Sequence, residues 1–483
     1  MDAEQIRRLE PRLAAYLEQF SDCFARRDTR GHFPVYVRGQ LSELPRKSVE
    51  PMALAADTPV RTLQEFLTHL MWDEDRMRQQ VARIVAQEHG DDESVGLIDE
   101  TGWVKKGDQT PGVQRQYCGS VGKQENSIIT VHLGYAARDF HCLLDGDLYL
   151  PESWSADRAR CRRAGIPDPV IYRPKTDIAL EMYDRAVANG VHFEWLTFDE
   201  WYGAKPPFLR ALKARHQKFV AEIPRDFTVW IKAPRVTTRA FRRRGRGRGR
   251  RIPRLLAGSR AAQTVEYLTQ SHPALAAQPW QTWRIKDTHK GPLVWRVKHV
   301  LVSIKDEQGL PEGPYHLLVC FHPFTDEIKY FLSNAPPDTP VKKLLRVAFG
   351  RWPIERCFED GKGEVGLDHW EGRRWLGLKR HLILTSVSYL FLAKTCQELR
   401  GKKPAVDGLP GAAGSRCPDP EPIPRSRNQH AFVRPDCSPH RILPTPQRPG
   451  PDLSQSRHHP RIAPHRHHAN GPAALRRKYE LAL

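Results

Sequence analysis

Three acidic residues lying far apart in the chain, Asp99, Asp199 and Glu355, sit in surroundings that suit metal chemistry. Asp99 closes a short apolar run (SVGLIDETG), Asp199 follows a second (VHFEWLTFDEWYG), and Glu355 lies in the charged stretch RWPIERCFEDGKGE. Hard divalent cations such as Mg2+ select carboxylate oxygen over thiolate or imidazole. Two aspartates and a glutamate that converge are the minimum for a pair of ions about 3.5–4 Å apart, which activates water or a 3′-hydroxyl in displacement at phosphorus. A phosphodiester substrate is anionic, so a basic scaffold around an acidic centre is expected. Without metal, clustered carboxylates repel one another, leaving the site strained or partly protonated.

Each acid also has an ordinary reading. An aspartate closing a strand commonly makes a turn or caps a helix. Glu355 lies four residues after Arg351, the spacing of a helical ion pair. Glu355 and Lys362 are seven apart and share nearly one face, so a solvated helix surface would show the same alternation of Arg351, Glu355, Arg356, Glu359 and Lys362.

The elements that must position these groups are legible in outline. Residues 1–90 show helical periodicity: Leu63, Phe66, Leu67 and Leu70 form a stripe behind Pro59, and a further helix runs from Arg76 and Arg78 towards Glu88. From Ser94 the pattern turns strand-like, with Asp99 at the carboxyl end of the first run. NSIITVHLGY and HCLLDGDLYL follow around a turn at Ala136 to Phe140. Residues 174–190 read as a helix, with Pro174 at the start, Ile178, Met182 and Ala186 on one face, and Gly190 at the stop. The strand ending near Asp199 comes next. Strands joined through a helix make an α/β core, and acids at the ends of adjacent strands are where such folds put their sites.

Between 224 and 335 an arginine-glycine run, RRRGRGRGRRIPR (242–254), precedes β-like segments such as WRVKHVLVSI and YHLLVCF. Arginine must stay solvated and glycine adds little apolar area, so this run reads as a loop outside the core. It is either a solubilising insertion or a contact to a phosphate backbone. An amphipathic helical stretch resumes near 338, and Leu382 to Ala393 reads as a core helix too short to span a bilayer. Beyond 398 a Pro-, His- and Arg-rich tail is expected to be largely disordered, and its clustered histidines (His458, His459, His465, His467 and His468) either chelate a metal or, as their proline-rich surroundings favour, are an accident of composition.

Composition narrows the partners. The 483 residues carry a formal net charge of +20, which favours a polyanion such as nucleic acid or an acidic membrane surface. The nine cysteines include no CxxC pair, so neither a zinc ribbon nor a disulfide scaffold is indicated, and a reducing cytosol fits. The charged start MDAEQIRRLEPRL does not read as a secretory signal.

The blocks IDETGWVKKG, QYCGSVGKQENS, LYLPESW, WLTFDEWYG and RWPIERCFEDGKGEVGLDHWEG, in that order, resemble bacterial insertion-sequence transposases of the DDE superfamily, 701 group. The resemblance spans roughly residues 20–395. It implies an RNase H-like mixed-sheet core, a divalent metal (Mg2+, with Mn2+ as substitute), and cleavage and strand transfer at the ends of a mobile element. Carried over, Asp99, Asp199 and Glu355 match the catalytic and metal-binding acids. Arg351 and Lys362 match the basic members of the signature around the glutamate. That signature has a tyrosine three residues before the arginine, whereas this chain has Ala348 followed by Phe349.

On this basis residues 1–90 form a helical N-terminal domain, and 91–223 and 336–398 the two parts of the catalytic core. Residues 224–335 form a β-rich insertion with the Arg/Gly loop, and 399–483 the tail. Lys105, Lys106 and Lys123 flank the first strands, where they either contact phosphate or lie on solvated surface. Trp283 and Trp295 flank THKGP and either stack on an unpaired base or pack within the insertion. The expected partner is double-stranded DNA of element ends and target, in the bacterial cytoplasm at the nucleoid. Joining two ends makes a homodimer natural, although no residue pattern shows one. A DNA-binding remnant that no longer cuts, and an RNA-binding scaffold using the Arg/Gly loop, are the alternatives.

Overall fold

The computed structural model describes residues 3–239, 251–288, 291–400 and 421–422. The Arg/Gly run from 242 to 250 and nearly all of the tail fall outside the described residues. The chain divides into two units, and the larger, Arg8–Ile423, holds the sheet and all three candidate acids. Of the smaller unit, Met1–Arg7 with Pro424–Leu483, only the helical start from Ala3 is described.

Five helices come first: α1 (Ala3–Glu18), α2 (Arg27–Leu41), α3 (Val49–Ala55), α4 (Val60–Thr68) and α5 (Glu74–His89). As its stripe predicts, α4 buries Leu63, Phe66 and Leu67 and starts after Pro59. Asp73 caps α5, its side chain accepting from the Arg76 N–H at 2.8 Å. The strands that follow are β1 (Val95–Val104), β2 (Gln114–Cys118), β3 (Lys123–Ala137), β4 (Phe140–Leu148), β5 (Trp195–Phe198) and β6 (Phe219–Ile223). Helix α6 (Lys175–Ala188) precedes β5, and the single turn α7 (Glu200–Gly203) follows it. Four longer strands then appear: β7 (Gln281–Thr288), β8 (Gly291–Lys305), β9 (Pro311–Phe321) and β10 (Ile328–Ser333). Helices α8 (Val341–Ala348), α9 (Pro353–Gly363) and α10 (Trp375–Arg400) close the unit.

In the sheet, β3 lies between β1 on one edge and β2 with β4 on the other, all antiparallel to it. On its far side β1 pairs in parallel with β5, and β5 in parallel with β6. Three meandering strands joined to two parallel ones, with helices packed on them, are the mixed sheet of an RNase H-like core. The parallel strands are mostly apolar, β5 being buried at every residue, as strands covered on both faces must be.

The sheet does not stop at β6. Strand β10 pairs antiparallel with it, from Tyr330↔Ile223 to Ser333↔Val220, and β9, β8 and β7 continue outward in turn. The β-rich segment therefore covers what would be an exposed edge of the core sheet. A second apolar cluster lines this extension, with Trp195, Val220, Trp283, Trp295, Leu318 and Phe331 packed against Leu344 and Leu345 of α8.

The N-terminal helices bury their apolar faces against α10 at the other end of the chain. Tyr36 Oη lies 2.8 Å from His381 Nδ1, Gln40 Nε2 donates to Thr385 Oγ1 at 2.9 Å, and Tyr16 Oη donates to the Val387 carbonyl at 2.8 Å. Arg380 of α10, itself buried, donates to the Leu70 carbonyl at 2.8 Å just past the end of α4. No helix among the described residues is long and apolar enough to cross a membrane.

Candidate active site

Strand register places the first two acids. The parallel pairing of β1 with β5 ends at Ile98↔Phe198, so the next residue on each strand is an aspartate, Asp99 and Asp199. Neighbouring strands lie about 4.8 Å apart, which puts the two carboxyl groups side by side. Asp99 was expected at the end of its strand. Instead β1 continues to Val104, because its other edge stays paired with β3 as far as Val104↔Ser127. It is the parallel partner that ends at Asp99.

Asp199 begins α7 as its cap, with Oδ1 accepting from the N–H groups of Trp201 at 3.1 Å and Tyr202 at 3.3 Å. This turn presses against β6. A Cβ on Gly203 would lie 1.8 Å from the Glu222 carbonyl oxygen, so only glycine permits the approach. Helix α9 packs over Gly134 of β3, where a Cβ would meet Ile354 Cδ1 at 2.8 Å and that side chain would have to shift. Docked there through the buried Ile354, α9 carries Glu355 in its first turn, with a largely exposed side chain.

Arg351, just ahead of α9, joins these groups. Its Nη1 donates to Asp99 Oδ2 at 2.6 Å and its Nη2 to Glu355 Oε1 at 2.8 Å. Burial pushes the Asp99 carboxyl up to about 7, against the pull of Arg351, and the charge of Asp199 pushes the same way. Burial also raises Asp199, opposed by the Tyr202 N–H and Arg351. Burial works against the charge on Arg351, but Asp99, Glu355, Asp199 and Glu222 outweigh it and hold its pKa above the ordinary value. Of the other charges in this stretch, Arg356 pairs within α9, with Glu359 at 3.2 Å and with Asp360 at 2.5 Å.

The donor set suits a hard cation in kind, but its present arrangement does not form a site for one. Among the described residues, no three His, Cys, Asp or Glu side chains gather closely enough to hold a metal. The guanidinium of Arg351 lies between Asp99 and Glu355, supplying the positive charge that an ion would bring.

The other basic candidates are dispersed. Lys362, in the last turn of α9, donates to the Gly102 carbonyl at 3.3 Å, and burial lowers its pKa. Lys105 donates to the Trp370 carbonyl and is lowered by burial to about 8. Lys106 and Lys123 are exposed, the latter 3.5 Å from Glu125. Trp283 and Trp295 face each other across β7 and β8, both buried in the second apolar cluster. Stacking on a base requires ring surface that this strand pair keeps covered. Where the signature tyrosine would stand, Ala348 is buried, and the adjacent Phe349 packs on Trp295 with ring centroids 4.9 Å apart.

Sequence reasoning missed Glu222, whose charge acts on Asp199 and Arg351 from β6, where it pairs with Lys329 at 2.9 Å. The run FVAEI could have signalled a third parallel strand bearing an acid. It missed Tyr202 too, a fully buried ring whose hydroxyl has no hydrogen-bond partner among the described residues. Glu100, next to Asp99, turns to Lys175 at 2.7 Å.

An RNase H-like sheet with an aspartate on each of two strands, just past the point where their parallel pairing ends, defines the fold class. The model of the DDE superfamily endonucleases matches residues 19–292, more than half of the chain, and the protein belongs to that family. It is also similar to the probable transposase for insertion sequence element IS701 of Microchaete diplosiphon, with 27% identity over 209 residues. That match covers 40% of this chain and 51% of the relative, so the chain spans about half the length of the curated relative it matches. The family match includes Asp99 and Asp199 and ends before Glu355, which rests on geometry and resemblance.

Proposed function

We propose that this protein is the transposase of an insertion sequence, cleaving DNA at the element's ends and transferring the strands to a target. Asp99, Asp199 and Glu355 would be its catalytic and metal-binding acids, and Mg2+ or Mn2+ its cofactor. The observation that carries this reading is the register of β1 and β5, which ends on two adjacent aspartates, with Arg351 linking the first to Glu355. The family match and the net charge of +20 support a DNA substrate. In this reading Arg351 and Lys362 contact phosphates beside the acids, and the exposed Lys106 and Lys123, with Lys105, extend the contact along the backbone. The protein would work at the nucleoid in the bacterial cytoplasm, with two copies to join two ends.

The competing reading is a remnant that binds element ends without cutting them. What favours it is Arg351, lying where an ion would have to enter. One experiment separates the two: incubate a fragment carrying both element ends and flanking DNA with the full chain, with and without Mg2+ or Mn2+. Nicking that needs the metal, and that disappears in Asp99→Ala, Asp199→Ala and Glu355→Ala while end binding stays, supports the transposase. Binding without cleavage under either metal supports the remnant.

A further inference from the structure

The indole of Trp201, in the turn after Asp199, is 41% exposed. Its position is nonetheless fixed. Its backbone N–H donates to Asp199 Oδ1 at 3.1 Å, and its ring meets the buried Tyr202 edge-on, with centroids 4.9 Å apart at 79°. Two ammonium groups attend the ring, Lys175 Nζ at 4.9 Å and Lys205 Nζ at 5.1 Å from its centroid. Lys175 also pairs with Glu100, next to Asp99, at 2.7 Å. Lys205 is exposed. The patch therefore adjoins Asp199 through the Trp201 N–H, beside the point where β1 loses its parallel partner, and Lys175 ties it to Glu100 on the other face of β1.

An exposed indole with cations beside it complements a nucleobase and its adjoining phosphates. Every base has a π-face, so stacking tolerates any sequence. The exposed Lys205 ammonium neutralises the backbone, while Lys175, paired with Glu100, holds the ring at its other cation contact. Duplex DNA hides those faces, and an unpaired nucleotide offers them. We propose that Trp201, with Lys175 and Lys205, is a platform for an unpaired base of the DNA strand at the cut site. The proposal rests on the transposase reading and deepens it. A ring merely shielded by two lysine stems would be indifferent to whether the strand is paired.

The test is equilibrium binding of the full chain, by fluorescence anisotropy without divalent ions so that nothing is cut. One probe is a fully paired element end, and the other is the same end with its terminal nucleotides mismatched. Trp201→Ala should lose roughly tenfold in affinity for the mismatched probe and little for the paired one. Trp201→Phe should keep most of the preference, and unchanged circular dichroism melts would show that both variants fold. Lys205→Ala should weaken both probes and make the salt slope shallower by about 0.9. No loss in Trp201→Ala, or equal loss on both probes, overturns the platform. If the wild type binds neither probe, the transposase reading falls with it. If the wild type binds both and Trp201→Ala changes nothing, only the platform falls.

Discussion

Arg351 and Asp99, 252 residues apart in the chain, meet at 2.6 Å in a largely buried ion pair. Three further acids feel the same guanidinium: Glu355, bonded to it at 2.8 Å, Asp199, whose raised pKa it partly offsets, and Glu222 of β6. The centre of the candidate site is thus neutralised from within, and a cation drawn to Asp99 meets the repulsion of that guanidinium.

That repulsion can be measured without catalysis. Arg351→Ala should bind Mn2+ more tightly than the wild type in DNA-free protein, by about tenfold for each 1.4 kcal/mol of repulsion removed. The same variant should bind DNA less tightly, with a salt slope shallower by about 0.9. Unchanged Mn2+ affinity by calorimetric titration would mean that Arg351 and the ion do not compete.

Asp99 sets a pH dependence of stability in the metal-free protein. Its folded pKa of about 7 lies above the unfolded value of about 3.9, so between these the folded state binds more protons and stability falls as pH rises. The contribution is fully present below the unfolded pKa and lost once pH passes the folded one. Asp99→Asn removes the titration. Its melting temperature should exceed that of the wild type by about 2–5 °C at pH 8, with the advantage shrinking towards pH 4. An advantage that does not change with pH would show that Asp99 titrates normally.

Gly203 tests how Asp199 is positioned. A methyl group there would lie 1.8 Å from the Glu222 carbonyl oxygen, a backbone atom that cannot swing aside. Gly203→Ala should cost about 1–3 kcal/mol or more, lowering the melting temperature by several degrees, and should reduce cleavage beyond what lost stability explains. A variant as stable and as active as the wild type would show that α7 can lift off β6 freely.

Trp295 tests the buried alternative to base stacking. Trp295→Ala should cost about 3–5 kcal/mol, since the ring is almost fully enclosed by the second apolar cluster. DNA affinity measured well below the melting temperature should stay near that of the wild type. Weakened DNA binding with unchanged stability would reverse this and place the ring at the nucleic acid.

Much of the local architecture is legible from the residues because its causes are short-range. The stripe Leu63, Phe66 and Leu67 forms α4, the helix between Pro174 and Gly190 forms as its boundary residues predict, and the turn near Ala136 joins β3 to β4. The acids could also be named, since apolar runs ending in aspartate are visible by inspection. Less legible were Glu222, in a strand not recognised as one, and the covered state of Trp283 and Trp295, which depends on the strands around them.

The sequence by itself determined the periodicity, the caps, the basic balance and the candidate carboxylates, all properties of residues within a few positions of one another. Only the tertiary structure decided that the pairing of β1 with β5 stops just short of Asp99 and Asp199 together. It also decided that the β-rich segment prolongs the core sheet through β10 and β6, and that Arg351 chooses Asp99 as well as its helical neighbour Glu355. Strand partners and buried counter-ions are selected across hundreds of residues by shape, burial and charge acting together, and no short window of sequence contains that choice.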